Sequence, residues 1–186
     1  DADVWLSCTA PLKHSPNDRL GISAPQGVNA INQLMRTGGE WSGTNTDGTG
    51  FILACRQIGI EPSENILRIR GGGSAARAIA AAWATVGGLL IPESGRRQLV
   101  SGPWDNAVVE GGEATLGIDL DAEPGGGEST PLDANIQVSI SYGDGAGTGE
   151  FAVIMVAAQH LEAWKTLFAP EREASLPSLS ALLDLL

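Results

Sequence analysis

The chain is poor in the residues that build metal centres, covalent staples and histidine relays. Its 186 residues include 2 cysteines, Cys8 and Cys55, and 2 histidines, His14 and His160. Two cysteines make neither a disulfide framework nor a cysteine-rich zinc site, and a reducing compartment is the default expectation. The histidines lie far apart in sequence, so neither a histidine-dependent relay nor a histidine-rich metal centre is expected. Positive charge is also scarce: 11 Lys and Arg stand against 22 Asp and Glu, for a net charge of −11. That balance argues against binding a nucleic-acid backbone or an anionic membrane surface. It leaves room for a small anion held in a local positive pocket. No apolar run approaches the ~20 residues that span a bilayer, and no signal-peptide pattern is present. Internal repeats and coiled-coil heptads are missing too. The abrupt start, without an initiator Met, reads as a sequence whose beginning is missing.

What is present suffices for a packed core. Apolar residues make up 42 % of the chain, which excludes disorder over its whole length. The 25 glycines follow no triplet period and instead punctuate candidate elements. Val4 to Cys8 reads as a short strand. Residues 28–36 and 40–42 read as two strands around Thr37-Gly38-Gly39, a plausible hairpin. Asp47 to Ile58 carries apolar residues at helical spacing, closed by Gly59. Residues 66–70 form a strand broken by Gly71-Gly72-Gly73. Ser74 to Val86 is an Ala-rich helix ended by Gly87-Gly88, and Leu89 to Ile91 starts the next strand. This order is one right-handed βαβ unit. Ala114 to Leu120 and Ile136 to Tyr142 are further strands, separated by the linker-like Glu123–Gly127. Residues 150–168 form an amphipathic helix stopped by Pro170, and the tail 173–186 holds one more short helix. The expected fold is α/β: a Rossmann-type parallel sheet with helices on both faces, plus part of a smaller α/β domain.

Gly71-Gly72-Gly73-Ser74-Ala75-Ala76-Arg77 sits where a dinucleotide-binding fold places its phosphate loop. Glycines there let the backbone turn tightly, and the N–H groups at the helix start bind the anion. A purely structural turn remains the alternative. Glu93, 20 positions after Gly73, suits the ribose hydroxyl of NAD, whereas Arg96 and Arg97 suit the 2′-phosphate of NADP. Five of nine arginines (Arg68, Arg70, Arg77, Arg96 and Arg97) cluster in this stretch, which tips the balance towards NADP. Lys13, just past the first strand, is either an acid/base group or a surface lysine. Asp47 is either a functional carboxylate or a helix cap.

Several segments, in order, resemble the shikimate dehydrogenase family, which includes quinate/shikimate dehydrogenases. Ser7-Cys8-Thr9-Ala10-Pro11-Leu12-Lys13 is similar to that family's N-V-T-x-P-x-K. Gly27-Val28-Asn29-Ala30-Ile31 is matched to its G-A-x-N-T, and Gly43-Thr44-Asn45-Thr46-Asp47-Gly48-Thr49-Gly50-Phe51 to G-x-N-T-D-x-x-G-F. The loop at 71–77 resembles G-A-G-G-A-A-R, and Met155-Val156-Ala157-Ala158-Gln159 resembles M-L-V-x-Q. The resemblance implies an NAD(P)-dependent oxidoreductase acting on a CH–OH group. It would interconvert 3-dehydroshikimate and shikimate in the cytoplasm, on the route to chorismate and the aromatic amino acids.

Carried over residue by residue, Lys13 and Asp47 are the catalytic pair. Thr9, Asn29 and Gln159 contact a small carboxylated cyclic polyol. Gly71, Gly72, Gly73, Ser74, Ala75 and Arg77, with Glu93, Ser94, Arg96 and Arg97, hold NADP, or alternatively NAD. No metal, nucleic acid or membrane is implied, and the protein is a monomer or homodimer. The implied division is a remnant of a substrate-binding domain at 1–46, a nucleotide-binding domain at 47–150, and C-terminal helices at 151–186 returning toward the first. Departures are evident. The family's N-terminal stretch with its Ser-x-Ser pair is not matched ahead of the first strand, Ser7 replaces an Asn, Ala30 stands where the motif has Thr, and the loop around 121–131 departs from N-A-T-x-x-G-M. These keep three alternatives open: another cyclic hydroxy acid, NAD as cofactor, or a non-catalytic nucleotide-binding relative.

Overall fold

Apolar residues spaced two apart or three to four apart settle into two sheets and the helices that join them. A computed structural model describes residues 3–121, 130–141, 147 and 149–186. The first sheet is antiparallel and contains β1 (Val4–Ser7), β2 (Gln33–Thr37) and β3 (Glu40–Thr44), in that order. Gly38 and Gly39 close the β2–β3 hairpin with φ of 59° and 91°, a backbone that bulkier residues adopt only with strain. Register pairs Ser7 with Gln33, and Gln33 in turn with Thr44.

The second sheet is parallel, with strand order β5-β4-β6-β7. Its strands are β4 (Ile66–Arg70), β5 (Leu89–Glu93), β6 (Leu116–Asp119) and β7 (Ile136–Val138). Leu67, Ile69, Leu90, Leu116 and Ile118 are fully buried in it. Against them pack α2 (Asp47–Gln57), α3 (Ser74–Thr85) and α4 (Phe151–Ala163). Two glycines let these helices approach closely. A Cβ on Gly48 would lie 2.2 Å from the Ala78 carbonyl oxygen of α3, and one on Gly50 would lie 2.5 Å from Cγ of Gln159 on α4. The N-terminal sheet is fastened to the C-terminal helices through Trp5, whose ring lies 5.4 Å from His160, 6.1 Å from Trp164 and 5.7 Å from Phe168. Among the described residues, no helix is long and apolar enough to cross a membrane.

The structure departs from the sequence expectations at several points. The strand expected from residue 28 begins at Gln33. Val28 and Asn29 instead turn over the Pro25 carbonyl, and Asn29 has φ 52°. The Pro-containing stretch after Lys13 holds a short helix, α1 (Ser15–Leu20), with Pro16 in its first turn and Gly21 at φ 66° ending it. The helix expected over 150–168 is α-helical only to Ala163 and finishes as a π turn, Trp164–Phe168. The tail forms α5 (Leu179–Leu183), the expected strand at 136–142 is realised as β7 over Ile136–Val138, and Tyr142 and the linker-like 123–127 lie outside the described residues.

Candidate active site

Lys13 enters the site from a tight turn after β1, where its carbonyl accepts the Ile31 N–H at 2.8 Å. Its Nζ lies 2.6 Å from Oδ2 of Asp47, and both side chains are largely buried, 14 % and 3 % exposed. Asp47 is the first residue of α2, where the positive end of the helix favours a carboxylate. Its other oxygen, Oδ1, accepts from Asn32 Nδ2 at 2.9 Å and from Gln159 Nε2 at 3.3 Å. Asn45 Oδ1 takes the Asp47 backbone N–H at 3.0 Å. Buried Asn32 is fully committed: its Oδ1 accepts the Thr46 N–H at 2.8 Å while its amide donates to Asp47 and Thr46. The carboxylate is thus bonded on both oxygens, with one donor a cation, the strong form of such a bond.

These groups open on a cleft of about 340 Å³ whose lining includes Thr9, Lys13, Asn32, Asp47, Ala75 and Gln159. Ser7, Cys8, Gln33 and His160 complete its polar wall. Asn29 does not line it. Asn29 is exposed, and its carbonyl accepts from His14 Nδ1 at 2.7 Å. Asn32, three residues on, holds the position in contact with Asp47. This shifts the motif to Ala30-Ile31-Asn32-Gln33, so Gln33, not Ala30, stands where the motif has Thr. The sequence signal for Asn32 is its place 15 residues before Asp47, on the run that forms the hairpin; Gly27-Val28-Asn29 matches the motif only locally. Burial raises the pKa of the Cys8 thiol, opposed by nearby Lys13, and lowers that of His160. A larger apolar pocket of about 570 Å³ shares Val156 and His160 with this cleft and contains none of the Lys13–Asp47 groups.

The glycine loop joins β4 to α3 at the other end of the cleft. Gly71 has φ 113°, and a Cβ on Gly72 would fall 1.9 Å from the Gln98 carbonyl oxygen. Beside Gly73, by contrast, an added Cβ meets nothing within 4 Å. Gly73 caps α3 without a side-chain hydrogen bond, and no acidic residue occupies the first turn. This is an open, amide-lined cradle that fits a phosphate group. Arg77 braces it, donating through Nε to the Val28 carbonyl at 3.0 Å and through Nη1 to the Gly72 carbonyl at 2.9 Å. Burial and the neighbouring Arg97 both disfavour its charged form. Glu93 is paired with Arg68 at 2.5 Å. Ser94, Arg96 and Arg97 are exposed beyond the end of β5, and Asp121 accepts the backbone N–H groups of Arg96 and Arg97.

No family model matches the chain. Segments of it are similar to curated shikimate dehydrogenases (NADP(+)). The match to that of Rubrobacter xylanophilus is 49 % identical over 59 residues, 31 % of this chain and 21 % of the relative. The match to that of Trichormus variabilis is 33 % identical over 113 residues, 57 % of this chain and 39 % of the relative. The matched segments therefore span well under half the length of these relatives. Among solved structures, shikimate 5-dehydrogenase of Thermus thermophilus in complex with NADP(H) and shikimate aligns with a TM-score of 0.69 at 23 % identity, covering 97 % of this chain and 77 % of that one. The 5-ketofructose reductase of a Gluconobacter species aligns with a TM-score of 0.58 at 16 % identity, covering 97 % and 77 %.

Proposed function

We propose that this chain, which shares the fold of shikimate dehydrogenases and their sequence in part, carries the catalytic groups of an NADP-dependent dehydrogenase interconverting 3-dehydroshikimate and shikimate in the cytoplasm. The observation that carries this reading is the buried Lys13–Asp47 pair, 2.6 Å apart, in a cleft that also reaches Ala75 of the glycine loop. Reducing a ketone builds negative charge on its oxygen, and an ammonium group beside that oxygen stabilises the charge and delivers the proton. Lys13 Nζ is that donor. Asp47 holds the ammonium in place and accepts from the neighbouring substrate hydroxyl, while Asn32 and Gln159 fix the carboxylate. In oxidation, the Lys13–Asp47 pair takes the proton back. Thr9 offers a further hydroxyl to the substrate.

The backbone of Gly71, Gly72, Gly73, Ser74 and Ala75 would hold the nucleotide pyrophosphate, with Arg77 bracing the loop and Ser94, Arg96 and Arg97 beside the 2′-phosphate. When bound there, the nicotinamide supplies the hydride acceptor or donor. Glu93 at the end of β5 keeps a second reading in play, in which NAD is used with quinate or a related cyclic hydroxy acid. The test is nicotinamide absorbance with shikimate and quinate crossed against NADP and NAD. Turnover with shikimate and NADP is expected. Activity confined to quinate or to NAD selects the second reading, and silence in all four combinations with the nucleotide still bound overturns both.

A further inference from the structure

Gln33 is a third side-chain amide on the cleft wall, beside Asn32 and Gln159, and stands outside the Lys13–Asp47 chemistry. It is 2 % exposed, yet it lines the cleft. Trp5 Nε1 donates to its Oε1 at 3.1 Å, and Ser7 Oγ donates to the same oxygen at 3.1 Å. An indole N–H only donates, so these bonds fix which end of the amide is oxygen. The Ser7 proton is thereby spent on Gln33, so the 3.3 Å contact between Ser7 Oγ and His160 Nε2 places a proton on His160 Nε2, donated to Ser7. The chain His160 → Ser7 → Gln33, with Trp5 as second donor, locks the amide in one orientation. Among the described residues nothing accepts from its Nε2, and Arg68 Nε, not Gln33 Nε2, is the buried side-chain atom left without a partner; a donor that is uncommitted at a cleft wall is free to meet a ligand oxygen.

We propose that Gln33 is a specificity-determining residue whose Nε2 donates to a substrate oxygen other than the reacting one, with Ser7, Trp5 and His160 positioning it. This rests on the dehydrogenase reading above. In the motifs that the chain resembles, the β1 position carries an amide (Asn) and the β2 position a hydroxyl (Thr). Here the two groups are exchanged across one register pair, Ser7 with Gln33. The amide thus moves by one strand spacing, about 4.8 Å, and the oxygen it selects moves with it.

The experiment measures the KM for shikimate, the KM for NADP and kcat in the wild type, Gln33→Glu, Gln33→Met and Ser7→Ala. Gln33→Glu keeps an acceptor for Trp5 and Ser7 and replaces the donor by a carboxylate oxygen, while Gln33→Met removes the donor without adding charge. The shikimate KM is expected to rise about tenfold or more in both Gln33 variants and about two- to fivefold in Ser7→Ala, an exposed position, while the NADP KM stays within about twofold. An unchanged shikimate KM in Gln33→Glu overturns the proposal and leaves the dehydrogenase reading standing. NMR of the Gln33 side-chain amide in the wild type, as shikimate is added, tests the same contact without relying on a folded variant: movement of its proton resonances supports the proposal and constancy overturns it. A wild type that neither turns over nor binds shikimate overturns the reading, and the proposal with it.

Discussion

The two ends of the cleft are built by opposite means. At the Lys13–Asp47 end, side chains do the work. Asp47 takes three side-chain donors (Lys13, Asn32 and Gln159) from a turn, the approach to β2 and α4, and almost no water reaches it. At the glycine-loop end, the backbone and a helix terminus present the binding groups, and most charged side chains nearby are already engaged with other parts of the protein: Arg68 with Glu93, Arg70 with Asp119, and Arg77 with two carbonyls. The difference fits the proposed task of each end. Proton delivery needs one ammonium at one place, so burial and fixed partners serve it. Holding a phosphate needs several weak donors in a concave backbone, which only glycine permits at close approach.

Separating the two ends by mutation tests this contrast. The largest effect is expected from Lys13→Gln, which keeps a hydrogen-bond donor toward Asp47 but removes the transferable proton. It should lower kcat by about 10²–10⁴-fold while nucleotide affinity, measured by fluorescence titration, stays near the wild-type value. Near-normal turnover would sink the assigned role of Lys13. Gly72→Ala should do the reverse. Its Cβ meets the Gln98 carbonyl, so the loop must shift, at a cost of about 1–3 kcal/mol in stability, and the nucleotide Kd should rise about tenfold. Unaltered nucleotide binding would show that the loop does not hold the cofactor.

The smallest effect concerns His160, which burial holds below its ordinary pKa of 6.5. The unfolded chain then binds the proton more readily than the folded one. The stability from this group is complete above the unfolded pKa and is lost as pH falls through that value toward the folded one. Denaturant midpoints should therefore rise from about pH 5 to about pH 7, and His160→Gln should flatten that slope. An identical slope in the variant would assign the pH dependence elsewhere.

Much of the framework was legible before any coordinates. The β4–α3–β5 unit, the glycine break and α2 lie within a residue or two of where apolar spacing and glycine punctuation put them. These signals are local, so a short window contains them whole. The site was legible only in part. Lys13 and Asp47 are 34 residues apart in sequence, and nothing local says that they meet. Asn32 went unread because an asparagine in a turn and an asparagine beside a carboxylate look alike in a string. Gln33 likewise reads as an ordinary strand residue until Ser7 and Trp5 are seen across the ladder.

The sequence by itself determined most of the element types, the parallel-sheet architecture and the acidic net charge, because these depend on composition and on neighbours a few residues away. Only the tertiary structure decided which asparagine touches Asp47, where Gln159 comes to rest, and that Gln33 lines the cleft. Those outcomes depend on helices α2 and α4 meeting at Gly50 and on the register of β1 against β2. Such contacts join residues from distant parts of the chain, and no local preference encodes them.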